Sequence, residues 1–165
     1  MTPSGVALVE ASDADFGWLL GEPRSVGARL RVPPGGVDEP GVLRHVRRLT
    51  ARLLERDART SWMIVDGDEV VGLCGFKDVP SALAEVEIGY GVATARRRRG
   101  YAAAAVALMV ARARRDPAIA AVIAETAIGN TASQGVLRKN GFEPVARRFD
   151  PEDGEVVVWR IAVSA

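Results

Sequence analysis

A basic turn near the middle of the chain contains the residues with the clearest chemical potential. A helix start presents unpaired main-chain N–H groups and a partial positive charge, and a glycine there lets an anion approach the main chain. Arginines add forked donors that suit phosphate oxygens. The turn therefore predicts a pyrophosphate site between a strand and a helix. Its residues are Arg97, Arg98, Arg99, Gly100, Tyr101 and Ala102.

Two other interpretations of the same arginines are open. A run of arginines is usually a solvated basic turn, but a strand before it, a glycine inside it and a helix after it favour an anion site. A nucleic-acid site is the other alternative. The chain has 22 basic and 21 acidic residues, so it lacks the broad positive field that a nucleic-acid backbone requires. We expect neither nucleic acid nor an anionic membrane as a partner.

The cysteine and histidine content limits other chemistry. Cys74 is the single cysteine, which excludes an internal disulfide and a multi-cysteine metal site. His45 is the single histidine, which argues against a histidine-based zinc site. No metal site is predicted.

The elements that must position the basic turn follow from periodicity and turn signals. Apolar residues at Val42, Val46, Leu49 and Leu53 recur at three- and four-residue spacing, which is typical of an amphipathic helix. Residues 21–41 are rich in proline and glycine and predict a loop beside a site. Helices are predicted from Ser12 or Asp13 to about Leu20, from Val42 to Arg56, from Gly100 to Arg115, and from Thr131 to Lys139. Strands are predicted at Val6 to Glu10, Ser61 to Val65, Val70 to Phe76, Ala84 to Val92, Ile119 to Ala124, Phe142 to Phe149 and Val156 to Val163.

This order indicates an α/β protein with a mixed sheet and helices on both faces. At 165 residues the chain fits one domain, residues 1–165, and no linker or repeat divides it. The longest apolar run, Tyr101 to Ala113, is too short to span a membrane, and the N-terminus has no signal-like core. We expect a cytoplasmic protein.

The basic turn resembles the coenzyme A motif of the GCN5-related N-acetyltransferases (GNAT). In that motif an Arg or Gln, two further residues, Gly, one residue, and then Gly or Ala bind the pyrophosphate. Arg97, Gly100 and Ala102 match these positions. The match lies between a predicted strand and a predicted helix, as the motif requires.

Two more segments resemble the same family. Residues 130–133 are similar to its Asn-x-x-Ser helix start, and Gly141-Phe142 is similar to the Gly-Phe that ends this helix. Residues 87–90, Glu-Ile-Gly-Tyr, are common in the subgroup resembling ribosomal-protein N-terminal alanine acetyltransferases. The resemblance extends from about Ser61 to Phe142.

The resemblance implies a GNAT-like, mostly antiparallel sheet that splays open after the strand ending near Val92. The pantetheine arm of acetyl-CoA would lie in the gap, and a main-chain N–H between Val92 and Thr94 would polarise the thioester carbonyl. Asn130 and Ser133 would contact the pantetheine or the sulfur region. Simple helix capping is the alternative for both residues.

The implied reaction is direct attack of a primary amine on acetyl-CoA in a ternary complex. A carboxylate near the splay would take the proton of the amine. Glu85 and Glu87 share one face of a strand with Gly89 and Gly91. Glu87 is the preferred base because it lies closer to the motif. Alternatively, both glutamates are solvent-facing, or bind the amine without moving a proton.

One departure from the family pattern leaves the acid and the turnover open. Many members have a tyrosine acid four residues before the Gly of Gly-Phe, where this chain has Leu137. Ser133 and Tyr101 remain as acids, or the thiolate leaves unaided because a thiol has a pKa near 8.5. A catalytically silent acyl-CoA sensor is the alternative function. An acetyl-cysteine enzyme using Cys74 is disfavoured because the single histidine lies on a predicted amphipathic helix.

The acceptor amine is not decoded by the sequence. A peptide N-terminus, a small metabolite amine and an antibiotic amine all remain open, and a homodimer is compatible with the fold.

Overall fold

The computed structural model of the protein describes residues 3–24 and 29–164. The part of the predicted 21–41 loop at residues 25–28 lies outside these ranges. Within them the chain forms a seven-stranded sheet with the order β1-β2-β3-β4-β5-β7-β6. The strands are β1 (Val6–Glu10), β2 (Ser61–Asp66), β3 (Glu69–Phe76), β4 (Glu85–Val92), β5 (Ala121–Ala127), β6 (Glu143–Asp150) and β7 (Gly154–Ala162).

Four α-helices accompany the sheet in the described part of the chain. Ser12 caps the first helix through a capping box with Asp15, as its position before an apolar-periodic stretch predicts. The second helix begins two residues earlier than predicted, because Pro40 occupies its first position, where a fixed φ and a missing N–H cost nothing. The helices are α1 (Asp13–Leu19), α2 (Pro40–Leu54), α3 (Tyr101–Ala113) and α4 (Thr131–Lys139).

The sheet splays between its two central strands. All neighbouring strands are antiparallel except β4 and β5, which are parallel. Their pairing begins at Glu85 with Ala121 and stops at Glu87 with Ile123. The opposite edge of β4 stays paired with β3 as far as Val92. Residues 88–92 therefore have no strand partner on the β5 side within the described chain, and the predicted mixed, splayed sheet is confirmed.

Alternation along the strands builds one apolar core on each face of the sheet. Trp62 and Ile64 of β2 pack toward α3 and α4, whereas Met63 of the same strand packs toward α1 and α2. Leu137 of α4 and Phe16 of α1 are fully buried in these two cores. The burial of apolar side chains on both faces of the sheet holds the helices against it, and the predicted placement of helices on both faces is confirmed.

The fifth strand differs most from its sequence-based prediction. It begins at Ala121 rather than Ile119, because Ile119 still belongs to the turn that follows α3 and donates its N–H to Asp116. It also continues beyond Ala124. Thr126 is buried, and its hydroxyl accepts a hydrogen bond from Trp159 at 2.9 Å, so a polar residue is satisfied inside the sheet.

None of the helices in residues 3–24 and 29–164 is long and apolar enough to cross a membrane.

Candidate active site

The basic turn adopts a tight conformation immediately before α3. Gly100 is the N-cap residue with φ of 82°, and Arg98 is also left-handed with φ of 62°. The first intrahelical bond runs from Ala104 N–H to Gly100 O. The preceding N–H groups of the first turn therefore point out of the helix end, where an anion can accept from them.

This turn forms one wall of a cavity of about 640 Å³, which we call the α3-side cavity. The sequence-predicted binding residues converge on it from β4, α3 and α4. Arg99 does not line the cavity. The predicted residues that line the cavity are Val92, Arg97, Arg98, Gly100, Tyr101, Ala102, Asn130 and Ser133.

A partly buried ion pair holds the turn, and sequence reasoning missed it. Glu69, at the start of β3, binds Arg96 through two hydrogen bonds of 2.7 and 2.9 Å. These bonds lower the pKa of the Glu69 carboxyl. Tyr101 donates to Asp66 at 2.6 Å, and this bond raises the pKa of the phenol. The hairpin turn between β2 and β3 thus fixes both ends of the basic turn through carboxylates, which no local pattern around residues 96–101 could reveal.

The start of α4 forms the opposite wall of the α3-side cavity. Asn130 is the N-cap and accepts a hydrogen bond from Ser133 N–H at 3.1 Å. Asn130 therefore does cap the helix, and Asn130 and Ser133 also line the cavity. Tyr90 of β4 donates to the main-chain oxygen of Ser133 at 3.4 Å, and burial raises the pKa of its phenol. Tyr90 bridges the splay, a role that the sequence did not indicate.

Main-chain groups of β4 point into the splay. Lys77 N–H donates to Glu87 O, and Ala93 N–H donates to Val71 O, so the odd-numbered residues of β4 direct their main-chain groups toward β3. By alternation, Tyr90 and Val92 direct theirs toward the gap. Arg97 donates to the main-chain oxygen of Val92 at 3.3 Å, which links the basic turn to the end of this strand.

A second cavity of about 320 Å³ lies on the other face of the sheet, beneath α2, and we call it the α2-side cavity. Tyr90 and Gly91 line both cavities, so the two meet at the splay. The walls of the second cavity are mostly apolar side chains of α2 and β3. Its ionisable lining residues, apart from Tyr90 and the buried Cys74, are Asp38, His45 and Lys77.

The two predicted base candidates lie outside both cavities. Glu85 accepts from Arg160 of β7 at 2.9 Å, and Glu87 is paired with Lys77. Both glutamates line an open cavity of about 430 Å³ over the paired part of β4 and β5. Lys77 also lines the α2-side cavity, and its side chain lies over Gly89. Only the side chain of Lys77 therefore lies between Glu87 and the α2-side cavity. Glu85, in contrast, is held toward β7 by Arg160.

The structure argues against a nucleophilic cysteine. Cys74 is buried, and burial raises the pKa of its thiol to about 12, so the thiolate is scarce at neutral pH. Among the described residues, no group of three or more His, Cys, Asp or Glu side chains could hold a metal ion.

The chain belongs to the GNAT family of acetyltransferases. The family model described as an acetyltransferase (GNAT) domain matches residues 6–143, which confirms the resemblance carried by the basic turn and by residues 130–142. No curated protein sequence matches the chain significantly.

Solved structures share the fold at low sequence identity. RimL, a ribosomal L7/L12 alpha-N-protein acetyltransferase in complex with coenzyme A, has a TM-score of 0.70 and 18% identity over 99% of this chain and 97% of its own. Spermidine N-acetyltransferase from Vibrio cholerae, in complex with CoA and spermine, has a TM-score of 0.72 and 10% identity over 98% and 97%. The enzyme AAC(6')-Ib, in complex with ribostamycin and coenzyme A, has a TM-score of 0.71 and 15% identity over 96% and 94%.

Proposed function

We propose that the protein transfers an acetyl group from acetyl-CoA to a primary amine in a ternary complex. The observation that carries this proposal is the pair of cavities on opposite faces of the sheet that meet at Tyr90 and Gly91. Such an arrangement lets two substrates approach one point from two sides, which direct transfer requires. Similar folds hold CoA together with spermine or ribostamycin.

The α3-side cavity fits coenzyme A in charge and in shape. Arg97 and Arg98 line it beside the left-handed Gly100 and the open helix end, which together suit a pyrophosphate. The main-chain edge at Tyr90 and Val92, which no strand pairs on the β5 side, suits the amides of a pantetheine arm, which can pair with it as an added strand. When bound, acetyl-CoA supplies an activated thioester.

The reaction needs an oxyanion donor and a proton acceptor. The N–H of Val92, directed into the gap, is our candidate for stabilising negative charge on the thioester oxygen. The amine nitrogen bonds to the carbonyl carbon, the C–S bond breaks, and the thiolate leaves with the electron pair. We assign the amine proton to Glu87, through water, because its partner Lys77 lines the α2-side cavity. Glu85 is the lesser candidate because Arg160 holds it away.

The leaving thiolate needs little help. Leu137, at the family's tyrosine position, is fully buried in the core. Tyr101 is committed to Asp66 at the pyrophosphate end of the cavity, which disfavours it as the acid. Ser133 remains the candidate beside the sulfur region, and a thiol with a pKa near 8.5 can also leave without protonation.

A catalytically silent acyl-CoA sensor is the second candidate function. It is favoured by the absence of a tyrosine at position 137 and by the ion pairs that occupy both glutamates. A sensor would bind acetyl-CoA but release no thiol with any amine.

The test combines binding with turnover. Calorimetric titration of CoA should show saturable binding that weakens about ten- to a hundredfold in the Arg97→Ala/Arg98→Ala variant, because two charged contacts are lost. Arg114→Ala/Arg115→Ala removes the same charge at the other end of α3, roughly 20 Å away and beyond the screening length of about 8 Å. This control should bind CoA normally.

Thiol release from acetyl-CoA with a panel of amines then separates the two functions. Release with any acceptor excludes the sensor. If CoA does not bind, or if both arginine variants bind it equally well, the proposal for the α3-side cavity is wrong.

A further inference from the structure

The residues that line the α2-side cavity indicate which acceptor can bind there. This cavity shares the lining residues Tyr90 and Gly91 with the α3-side cavity, so an acceptor that reaches the splay from this face must occupy it. Its lining therefore restricts which amine the enzyme uses. This inference rests on the proposed function and deepens it.

One carboxylate is placed at the junction of the two cavities. Asp38 directly precedes α2, and the neighbouring Val37 is buried in the core, which fixes the position of this segment. One oxygen of Asp38 accepts from Glu39 N–H at 2.7 Å. The other oxygen, Oδ2, lies only 3.3 Å from where a Cβ on Gly91 would stand. The carboxylate thus faces the point on β4 where the cavities meet.

Asp38 is available to a cationic ligand. It forms no ion pair with any residue in ranges 3–24 and 29–164. Residues 1–2, 25–28 and 165, which lie outside those ranges, contain no ionisable side chain. A half-buried carboxylate without a cation is a ready partner for an ammonium group.

The other ionisable groups of the cavity do not attract further cations. Lys77 is itself positive, and its ammonium is paired with Glu87. His45 is exposed on α2. Among the described lining residues, Asp38 is therefore the one carboxylate that can bind a positive charge.

The rest of the cavity suits an apolar body of modest size. Val42, Val46 and Leu49 of α2 line it together with Leu73 of β3. The volume of about 320 Å³ lies at the small end of the range of about 300–1,000 Å³ that is typical of ligand pockets. A group that fills this space gains from removing apolar surface from water, whereas a polar or charged group there would lose hydration without a partner.

We infer that the acceptor is a primary amine with a single positive charge on an apolar body, and that Asp38 binds its ammonium group. A free arylalkyl or alkyl amine has this chemistry, and so does a peptide N-terminus whose first side chain is apolar. A polyamine or an aminoglycoside has several positive charges and would require several carboxylates. The described lining of the α2-side cavity contains one carboxylate, that of Asp38.

The first test compares acceptors by thiol release under identical conditions. We expect kcat/KM for 2-phenylethylamine to exceed that for spermidine and for kanamycin by at least tenfold. A hexapeptide beginning with leucine, compared with one beginning with aspartate, tests the peptide source. Activity with the free amine alone indicates a small-molecule acceptor, and a comparable rate with the leucine peptide alone indicates a chain end. A preference for spermidine or kanamycin would overturn the inference and leave the proposed function standing.

The second test removes the charge of Asp38. In Asp38→Asn we expect KM for the preferred monoamine to rise about ten- to a hundredfold, corresponding to about 1.4–2.8 kcal/mol at 1.4 kcal/mol per decade. The calorimetric affinity for CoA should stay within twofold. Asp153→Asn, the same change on the exposed turn between β6 and β7, is the matched control. A KM shift in Asp38→Asn no larger than in this control would refute the role of Asp38.

A third variant adds a carboxylate to the wall. Val42 is partly exposed near the start of α2, where an aspartate also favours the helix dipole, so Val42→Asp should fold. It should raise kcat/KM for spermidine relative to 2-phenylethylamine at least fivefold. An unchanged ratio would show that cavity charge does not select the acceptor.

If no amine releases thiol, the binding of an amine to the protein tests the inference instead. In that case the proposed function fails, and 2-phenylethylamine is titrated into the CoA-saturated protein. Saturable binding that is weakened by Asp38→Asn supports the inferred cavity. No binding overturns it.

Discussion

The buried carboxylate Glu69 should control both the stability of the protein and its affinity for CoA. Glu69 is 7% exposed and binds Arg96 through two hydrogen bonds at the base of the basic turn. The substitution Glu69→Gln keeps the size of the side chain but removes its charge. Arg96 would then face an amide instead of a carboxylate, and the turn would lose its main anchor.

The size of the effect follows from the environment of the pair. Breaking a fully buried pair costs about 3–5 kcal/mol, and a hydrogen bond to a charged group contributes about 1.5–3 kcal/mol. The side chain of Arg96 is 20% exposed, so water can hydrate part of it after the substitution. We therefore expect the free energy of unfolding to fall by about 2 kcal/mol, which lowers Tm by about 4–8 °C for a chain of this length.

The loss should depend on pH in a defined direction. The pKa of Glu69 is lowered in the folded state, chiefly by its hydrogen bonds to Arg96. Its contribution is therefore fully present above the unfolded pKa of about 4.3 and is lost as the pH falls through the lower folded pKa. The stability difference between wild type and Glu69→Gln should be constant from about pH 5 to 8 and shrink below pH 4.

Urea unfolding and CoA calorimetry provide the measurements. Glu155→Gln is the matched control, because Glu155 lies 3.6 Å from Arg147 in a pair whose side chains are 53% and 66% exposed. An exposed pair contributes about 0–1 kcal/mol, and it is remote from the α3-side cavity. Glu69→Gln should also weaken CoA binding about tenfold. Equal stability and equal CoA affinity in the two variants would refute the anchoring role of Glu69.

Three further substitutions test the site and the core. Gly100→Ala should weaken CoA binding about tenfold, because it strains a left-handed residue at the proposed anion site. Gly154→Ala is the control, since Gly154 is also left-handed but lies in the β6–β7 turn. This control should cost only about 1 kcal/mol of stability and leave the calorimetric CoA affinity unchanged. Glu87→Gln should lower kcat about a hundredfold with little change in KM, and a larger effect of Glu85→Gln in the same steady-state assay would reverse our assignment of the base. Leu137→Ala should destabilise the protein by about 2–5 kcal/mol in urea unfolding, because a fully buried side chain leaves a cavity; a cost below 1 kcal/mol would contradict its place in the core.

Local patterns in the sequence predicted much of the architecture. The apolar spacing of α2, the hairpin turns after β2 and β6, and the Asn-Gly end of α4 all reflect interactions within a few residues, and the structure confirms these elements. The family was predicted from three short motifs in order along the chain. The first lies around Gly100, where a helix start preceded by glycine and arginine suits an anion. The apolar pattern by itself ended β5 at Ala124, short of its polar end, since Thr126 is satisfied by Trp159, which lies 33 residues away in the chain.

Tertiary structure decided which charges are available at the site. Glu85 and Glu87 share a strand face, as alternation predicts, yet long-range partners on β7 and after β3 occupy both carboxylates. Asp38 lies in a proline- and glycine-rich loop with no decodable pattern, and the tertiary packing of this loop, with Val37 in the core, brings it to Gly91. The sequence by itself predicted an anion site between β4 and α3. The tertiary structure determined which charged groups and which cavities surround that site, because ion pairing and cavity lining depend on contacts between residues far apart in the chain.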